Sequence, residues 1–204
     1  VLKMCWAPRR WWVVSLEPAG RPGLRFHGLV ALPALALLWA FSVPGFMFPL
    51  AVAAAFALAV FALVWLIRLV GCCVREDRAS WWFALAPLGL AITVGLLIAR
   101  VPLHARWALS RPAFEAAVSH LPPEPSPSAY PPDLAVPGTL GSYRITLASR
   151  VIGGVIFHEV HGAFLNDAGF AYLPDGPTAQ GYGDLESPAF VHLSGPWYAW
   201  TASW

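Results

Sequence analysis

Charge, lysine and cysteine are all scarce in this chain: charged residues fill 12% of its 204 positions, Lys3 is the one lysine against twelve arginines, and the three cysteines end at Cys73. Each scarcity excludes something. Cys5, Cys72 and Cys73 have no zinc-ligand spacing, and no cysteine comes after them, so neither a disulfide scaffold nor a zinc fold is expected. Soluble domains carry about 25% charged residues, so with 58% hydrophobic residues a purely soluble fold is not expected. The sharpest absence is local, because residues 28–67 contain no Asp, Glu, Lys, Arg or His. In water that run would have to be buried on every side, whereas a bilayer core of about 30 Å needs only about 20 apolar helical residues per crossing.

The run is therefore expected to cross twice. Ser42, Val43, Pro44 and Gly45, followed by Pro49, supply the reversal, since proline ends helices and Pro-Gly favours a tight turn. The expected spans are 28–46, 49–70 and, after a short charged loop, 81–99, with Pro33 near the start of the first helix. Trp39 and Trp65 read as lipid-facing or interfacial residues. Ala51, Ala55 and Ala59, four apart, form a candidate small-residue face for helix packing.

The halves of the chain differ in sign. Residues 1–120 carry +7 and residues 121–204 carry −5. The basic residues flank apolar spans and form no continuous stripe, so the asymmetry reads as membrane topology and no nucleic-acid partner is expected. Placing the N-terminus in the cytoplasm gathers Lys3, Arg9, Arg10, Arg21, Arg25, Arg68, Arg75 and Arg78 on that side and leaves the uncharged 44–49 turn outside. Arg100, Arg106 and Arg111 beyond the third span oppose that orientation. Residues 1–27 form a basic, Trp-rich segment at headgroup level, with Trp6, Trp11 and Trp12 interleaving Arg9 and Arg10. It is expected to remain attached, since no cleavage site comes after a suitable apolar stretch. Val1 leaves the start of the reading frame open. Ser42 and Thr93 are nearly the only polar groups in the spans, and so little polarity argues against transport or channel activity by this chain alone.

After the spans the pattern changes. Residues 101–121 are expected to form a juxtamembrane amphipathic helix, its pattern carried by a short helical stretch at 111–121: Phe114, Ala117, Val118 and Leu121 recur at helical spacing and Pro112 falls in its first turn. A helix that short must dock, on the membrane beside Trp107 or on the C-terminal domain. Residues 122–137 are a Pro-rich linker, expected to act as a semi-rigid spacer. Residues 138–204 show period-two alternation in five or six antiparallel strands. The reversals expected there are at Gly153-Gly154, at Asn166 to Gly169, and at Ser194-Gly195-Pro196.

The expected architecture is thus an α-helical membrane domain of three transmembrane helices (28–100) plus a small antiparallel β-rich C-terminal domain. His158, Glu159, Val160 and His161 resemble a zinc-protease motif but are one residue short, and on a strand the two histidines face opposite ways. No metal or cofactor is expected. Asp167, Asp175, Asp184 and Glu186 read as turn and surface residues, and no Ser, Cys or His stands in a nucleophile motif. An envelope-modifying enzyme using His158, His192 and a loop carboxylate is the minor alternative. Tyr198, Trp200 and Trp204 share one strand face as a candidate aromatic binding face, with a packed core as the alternative.

Residues 169–177 (Gly-Phe-Ala-Tyr-Leu-Pro-Asp-Gly-Pro), Gly195-Pro196-Trp197-Tyr198 and residues 109–114 (Leu-Ser-Arg-Pro-Ala-Phe) resemble small uncharacterised multi-pass membrane proteins of Streptomyces-like actinobacteria. The resemblance implies a cell-membrane location and assigns no site residue. The expected function is a non-enzymatic membrane protein displaying a β-rich interaction module outside the cell. Its partners would be the lipid bilayer and a protein of the membrane or envelope. The alternative is an accessory subunit of a larger membrane complex or transporter.

Overall fold

The computed structural model describes residues 22–74, 81–121, 134–161, 166–178 and 185–203. Within them four helices precede a sheet: α1 Leu24–Ala40, α2 Phe48–Val74, α3 Trp82–Ile98 and α4 Val101–Ser119. The strands are β1 Thr139–Leu140, β2 Tyr143–Val151, β3 Gly154–Glu159, β4 Asn166–Tyr172, β5 Glu186–Ser194 and β6 Trp197–Ser203. The basic segment before residue 22, with Cys5 and its tryptophans, lies outside the described residues, as do Arg75, Arg78, Asp184 and Trp204.

Among the described residues only α2, with 27 residues, is by itself long and apolar enough to cross a membrane. α3 passes that test only together with α4, to which it is bent by 54°, and α1 is a shorter apolar helix. Three spanning helices are therefore not established by length. α1 begins four residues before the expected span, which puts Pro33 inside the helix and not in its first turn. The α1–α2 reversal falls where the proline pattern places it: Gly45 adopts φ 72° and the Met47 amide closes the loop onto the Ala40 carbonyl at 2.9 Å.

α4 covers nearly all of the 101–121 stretch and begins ten residues before the 111–121 pattern. It runs for 19 residues and passes through Pro112, whose missing N–H costs one helical bond. Its stripe of Leu103, Trp107, Ser110 and Phe114 is buried, because these positions recur every three or four residues on one side of the helix, and Trp107 and Phe114 pack on the sheet. Helical packing thus begins the C-terminal unit at Val101, well before residue 138.

The six strands are antiparallel in the order β1-β2-β3-β4-β6-β5. The first long hairpin turns on Ile152 and Gly153, since Val151 pairs with Gly154, one residue earlier than the Gly-Gly pair suggests. The stretch from Asn166 to Gly169 is strand β4 and not a turn. Gly169 is there for a steric reason: a Cβ on it would sit 1.8 Å from the Phe157 carbonyl oxygen. The Gly195-Pro196 reversal joins β5 to β6, with Ser194 opposite Trp197.

The end of the expected spacer also belongs to this fold. Leu134 is buried, and its amide donates to the Ala148 carbonyl at 2.8 Å. Since α4 before the proline-rich stretch and the sheet after it pack together, that stretch does not hold the β-rich unit away from the helices. Residues 122–133 themselves lie outside the described residues.

One face of the sheet carries Tyr143, Ile145, Val155, Phe157, Phe170 and Trp197 against α4. At its centre Phe114 lies 5.0–6.1 Å, ring to ring, from Tyr143, Phe157, Phe170 and Trp197. Trp107 stacks on Phe170 at 5.0 Å and donates its indole N–H to the Ser194 hydroxyl at 3.0 Å. The other face holds a smaller cluster of Val151, Ile156, Ala171, Leu173, Trp200 and Ala202.

Candidate functional site

Two surfaces of the molecule call for a physical account. The first is the outside of α1, α2 and α3, where apolar side chains stand bare. Leu32 is 63% exposed, Phe56 72% and Ile98 78%, and soluble monomers rarely expose contiguous apolar surface on that scale. Inside the bundle, α2 turns Ala51, Ala54, Leu58, Phe61 and Trp65 inward, a repeat of three and four. Ala51 is buried in this contact, but Ala55 and Ala59 are exposed on the outer surface, so the four-apart alanine row is not the packing face within the chain. The polar groups of this region bond locally: Thr93 Oγ1 donates to the Gly89 carbonyl at 2.8 Å and Ser42 Oγ to the Trp39 carbonyl at 2.7 Å.

Aromatic rings gather at both ends of the bundle. At the loop end Phe41 stacks on Phe46 at 5.3 Å, and Phe46 lies 6.1 Å from Phe48, with Trp39 exposed nearby. At the far end Trp81 stacks on Trp82 at 4.5 Å, His27 stacks on Trp82 at 5.8 Å, and Trp65 donates to the Phe83 carbonyl at 3.1 Å. Arg68 sits over the Phe26 ring there at 5.1 Å. Cys72 and Cys73 lie in the last turn of α2 at that same end.

The second surface is the junction between the α1–α2 loop and the C-terminal unit. Val43 from the loop is 1% exposed and belongs to the same core as Trp107 and Phe114, with Met47 packed beside it. Arg106 of α4 reaches across this seam. Its guanidinium carbon lies 4.6 Å from the Trp39 ring centre and 4.3 Å from that of Tyr143, one ring from each partner. Its Nη1 donates to Ser42 Oγ at 3.0 Å, its Nε to Ser142 Oγ at 2.9 Å, and its Nη2 to the Ser142 carbonyl. Tyr143 adds a bond from its phenol to the Ser42 carbonyl at 3.1 Å, linking residues 101 positions apart. The β1–β2 turn seats against α4 through Ser110, whose hydroxyl accepts from the Ser142 amide at 3.1 Å. Gly141 in that turn has φ 59°, and a Cβ on it would come within 2.5 Å of the Ser110 Cβ.

Burial sets the electrostatics of this seam. It lowers the Arg106 pKa from its ordinary value, against the opposing influence of Tyr143 and Glu159. It raises the Tyr143 phenol well above the usual tyrosine range, with Arg106 pulling the other way. Glu159, at the end of β3, has a wholly buried side chain that accepts from the His161 amide at 2.7 Å and lies 3.2 Å from His161 Nδ1.

The residues with sequence-level chemical promise are dispersed. His158 packs its ring on Trp200 at 4.9 Å, while His192, on the edge strand β5, lies 2.9 Å from the Gly195 carbonyl through Nε2. Strands β4 and β6 intervene, which separates the two histidines by about 14 Å. Asp167 and Glu186 are strand residues and not loop residues; Asp175 lies in the turn after β4. Among the described residues no three His, Cys, Asp or Glu side chains gather as a metal site would. Trp200 is fully buried and donates to the Phe170 carbonyl at 3.2 Å, so it is a core residue and not part of a binding platform. Tyr198 is partly open, its ring 5.2 Å from His192, and Trp204 lies outside the described residues. The described surface also has a depression of about 300 Å³ between Val118, Leu121, Arg150, Gly154 and Tyr172.

Sequence does not single out Arg106, Ser42, Ser142 and Tyr143 as a group. Arg106 reads there only as a charge against the inside-positive pattern; the one available hint is its place between Leu103, Trp107 and Ser110 on a helical stripe. Compared with protein-family models, curated proteins and solved structures, the chain matches none of them.

Proposed function

We propose that the chain is an integral protein of the cell membrane in which α1, α2 and α3 cross the bilayer and hold the α4–sheet unit on the outer face as a protein-interaction module. The observation that carries this reading is the pair of aromatic belts with bare apolar surface between them. Phe48 and Trp65 lie 17 residues apart on α2, about 26 Å along the axis, close to the hydrocarbon thickness of about 30 Å. Tryptophan and its neighbours at both limits suit the two water–lipid boundaries. α1 and α3, each 17 residues or about 25 Å long, fall slightly short of the core, a mismatch that bilayer thinning accommodates at small cost.

The α1–α2 loop, the α3–α4 bend and the sheet all gather at one end of the bundle, so three crossings put the module opposite the N-terminus. The arginine count then favours a cytoplasmic N-terminus. A reporter enzyme active only outside the cytoplasm, fused after Trp204, is expected to be active, and the same reporter inserted between Val74 and Trp81 silent. The reverse pattern overturns the orientation, and a folded chain left in the supernatant after detergent-free lysis and centrifugation overturns the membrane reading.

A second reading, an accessory subunit of a larger membrane complex, draws on the exposure of Ala55 and Ala59, which leaves a small-residue surface free for a foreign helix. Co-purification lost on Ala55→Leu but kept on Val52→Leu supports it; partners that survive both changes exclude that surface.

A further inference from the structure

We propose that Arg106 is a latch and Arg100 a hinge, so that the C-terminal unit can leave the α1–α2 loop as a body without either part unfolding. Two connections hold the unit to the helices. One is covalent, at the break between α3 and α4, where Arg100 takes φ 52° and the helices bend by 54°. A non-glycine residue in the left-handed region is held there by its surroundings, and such element-terminal positions are where hinge rotation is absorbed. The other connection is the seam. Its polar contacts converge on Arg106, which bonds Ser42 on the loop and Ser142 on the unit and has a ring from each within cation–π reach. Tyr143 bonding the Ser42 carbonyl and the Val43 plug complete it.

The ring contacts of the unit stay within it when the latch opens: Trp107 and Phe114 pack on Phe170, Trp197 and Phe157, and the loop adds only Val43 and Met47 at the edge of that core. The bundle likewise keeps its α1–α2 and α1–α3 contacts, which lie elsewhere, as in the Phe26–Phe61 and His27–Trp82 pairs. Opening thus uncovers Val43, Met47 and the Tyr143 edge. A displacement of the loop within its surroundings is thereby passed to the β1–β2 turn through Arg106, with Tyr143 and Val43 beside it.

Pulsed dipolar distances test this on the full chain in lipid nanodiscs, with spin labels at Phe46→Cys and Ile152→Cys after replacing the native cysteines with serine. Both labelled positions are exposed, at 39% and 71%. The otherwise native chain is expected to give one narrow distance, and Arg106→Ala and Trp39→Ala each a broadened distribution reaching longer separations, with near-ultraviolet circular dichroism unchanged. Arg106→Lys, which keeps charge but loses the forked geometry, should fall between them. Trp39 lies outside the unit, so Trp39→Ala decides the matter if Arg106→Ala disturbs folding. A distribution as narrow as the parent's in Trp39→Ala, or a broad one in the parent itself, overturns the latch. The readout does not depend on which side of the membrane the unit occupies.

Discussion

Replacing Phe114 by alanine tests whether α4 is the lid of the sheet. Phe114 is fully buried, and its ring is within 6.1 Å of five others, counting Trp107 at 5.2 Å. Phe→Ala in a well-packed core costs about 3–5 kcal/mol, the upper end applying where neighbours cannot collapse into the space. Here four of the five neighbours are rigid rings anchored on strands, so the upper end is expected. A domain of this size holds only about 5–15 kcal/mol in all, and each kcal/mol moves the midpoint of a domain of about 100 residues by at least about 4 °C. The variant should therefore melt at least about 12 °C lower. The assay is thermal loss of near-ultraviolet circular dichroism of the full chain in detergent micelles, where the packed tryptophans supply the signal. Leu109→Ala is the control: Leu109 sits on the same helix but is 84% exposed, and a surface change of that kind should fall within about 0.5 kcal/mol. If Phe114→Ala melts with the parent, α4 does not cover the sheet in solution and the account of the C-terminal unit fails.

Gly169→Ala should weaken the β3–β4 pairing, since the new Cβ would fall 1.8 Å from the Phe157 carbonyl and 3.1 Å from Trp200 Nε1; faster amide hydrogen exchange in β3 and β4 checks it, and unchanged exchange contradicts the register. Tyr143→Phe removes the bond to the Ser42 carbonyl and should cost about 1 kcal/mol at neutral pH. The folded phenol is raised above the unfolded value of about 10, so its contribution is complete below pH 10 and is lost as pH climbs through the folded value. The stability of Tyr143→Phe should accordingly fall less steeply than the parent's above pH 10, as read by urea denaturation in micelles. Arg111→Ala breaks an exposed i,i+4 pair with Glu115 at 2.6 Å; exposed pairs of this kind contribute about 0.3–0.5 kcal/mol, and a larger loss on thermal melting would show Arg111 doing something the pair does not explain.

The strands are legible in the sequence because their causes are local. Alternation in Tyr143, Ile145 and Leu147 marks β2, and Gly195-Pro196 marks the β5–β6 turn, since a two-residue hairpin needs a residue tolerant of positive φ. Gly169 misleads for the same reason: beside Asn166 and Asp167 it looks like turn chemistry, while its actual cause is the approach of another strand's carbonyl. That cause is invisible until β3 and β4 are paired. Trp200 shows the same limit. Its place on one strand face with Tyr198 can be read, but its burial results from lying across Gly169 toward His158, two strands away.

The deepest failure of local reading concerns where one part of the chain ends and the next begins. A proline-rich stretch between an amphipathic helix and a β-rich region carries the composition of a spacer, and in an extended chain it would separate the two. Separation, however, is set by what packs on either side. Phe114 and Trp107 complete the sheet's apolar face, and Leu134 ties the return of the chain to Ala148. Val43 then carries the same core into the first helical hairpin, and Arg106 closes the seam. Domain boundaries track the burial of apolar faces, and here the face that needed covering lay downstream of the prolines while its cover lay upstream. The β-rich unit is consequently seated against the helices, with Val43, Tyr143 and Arg106 at the seam and the α3–α4 bend as its covalent connection.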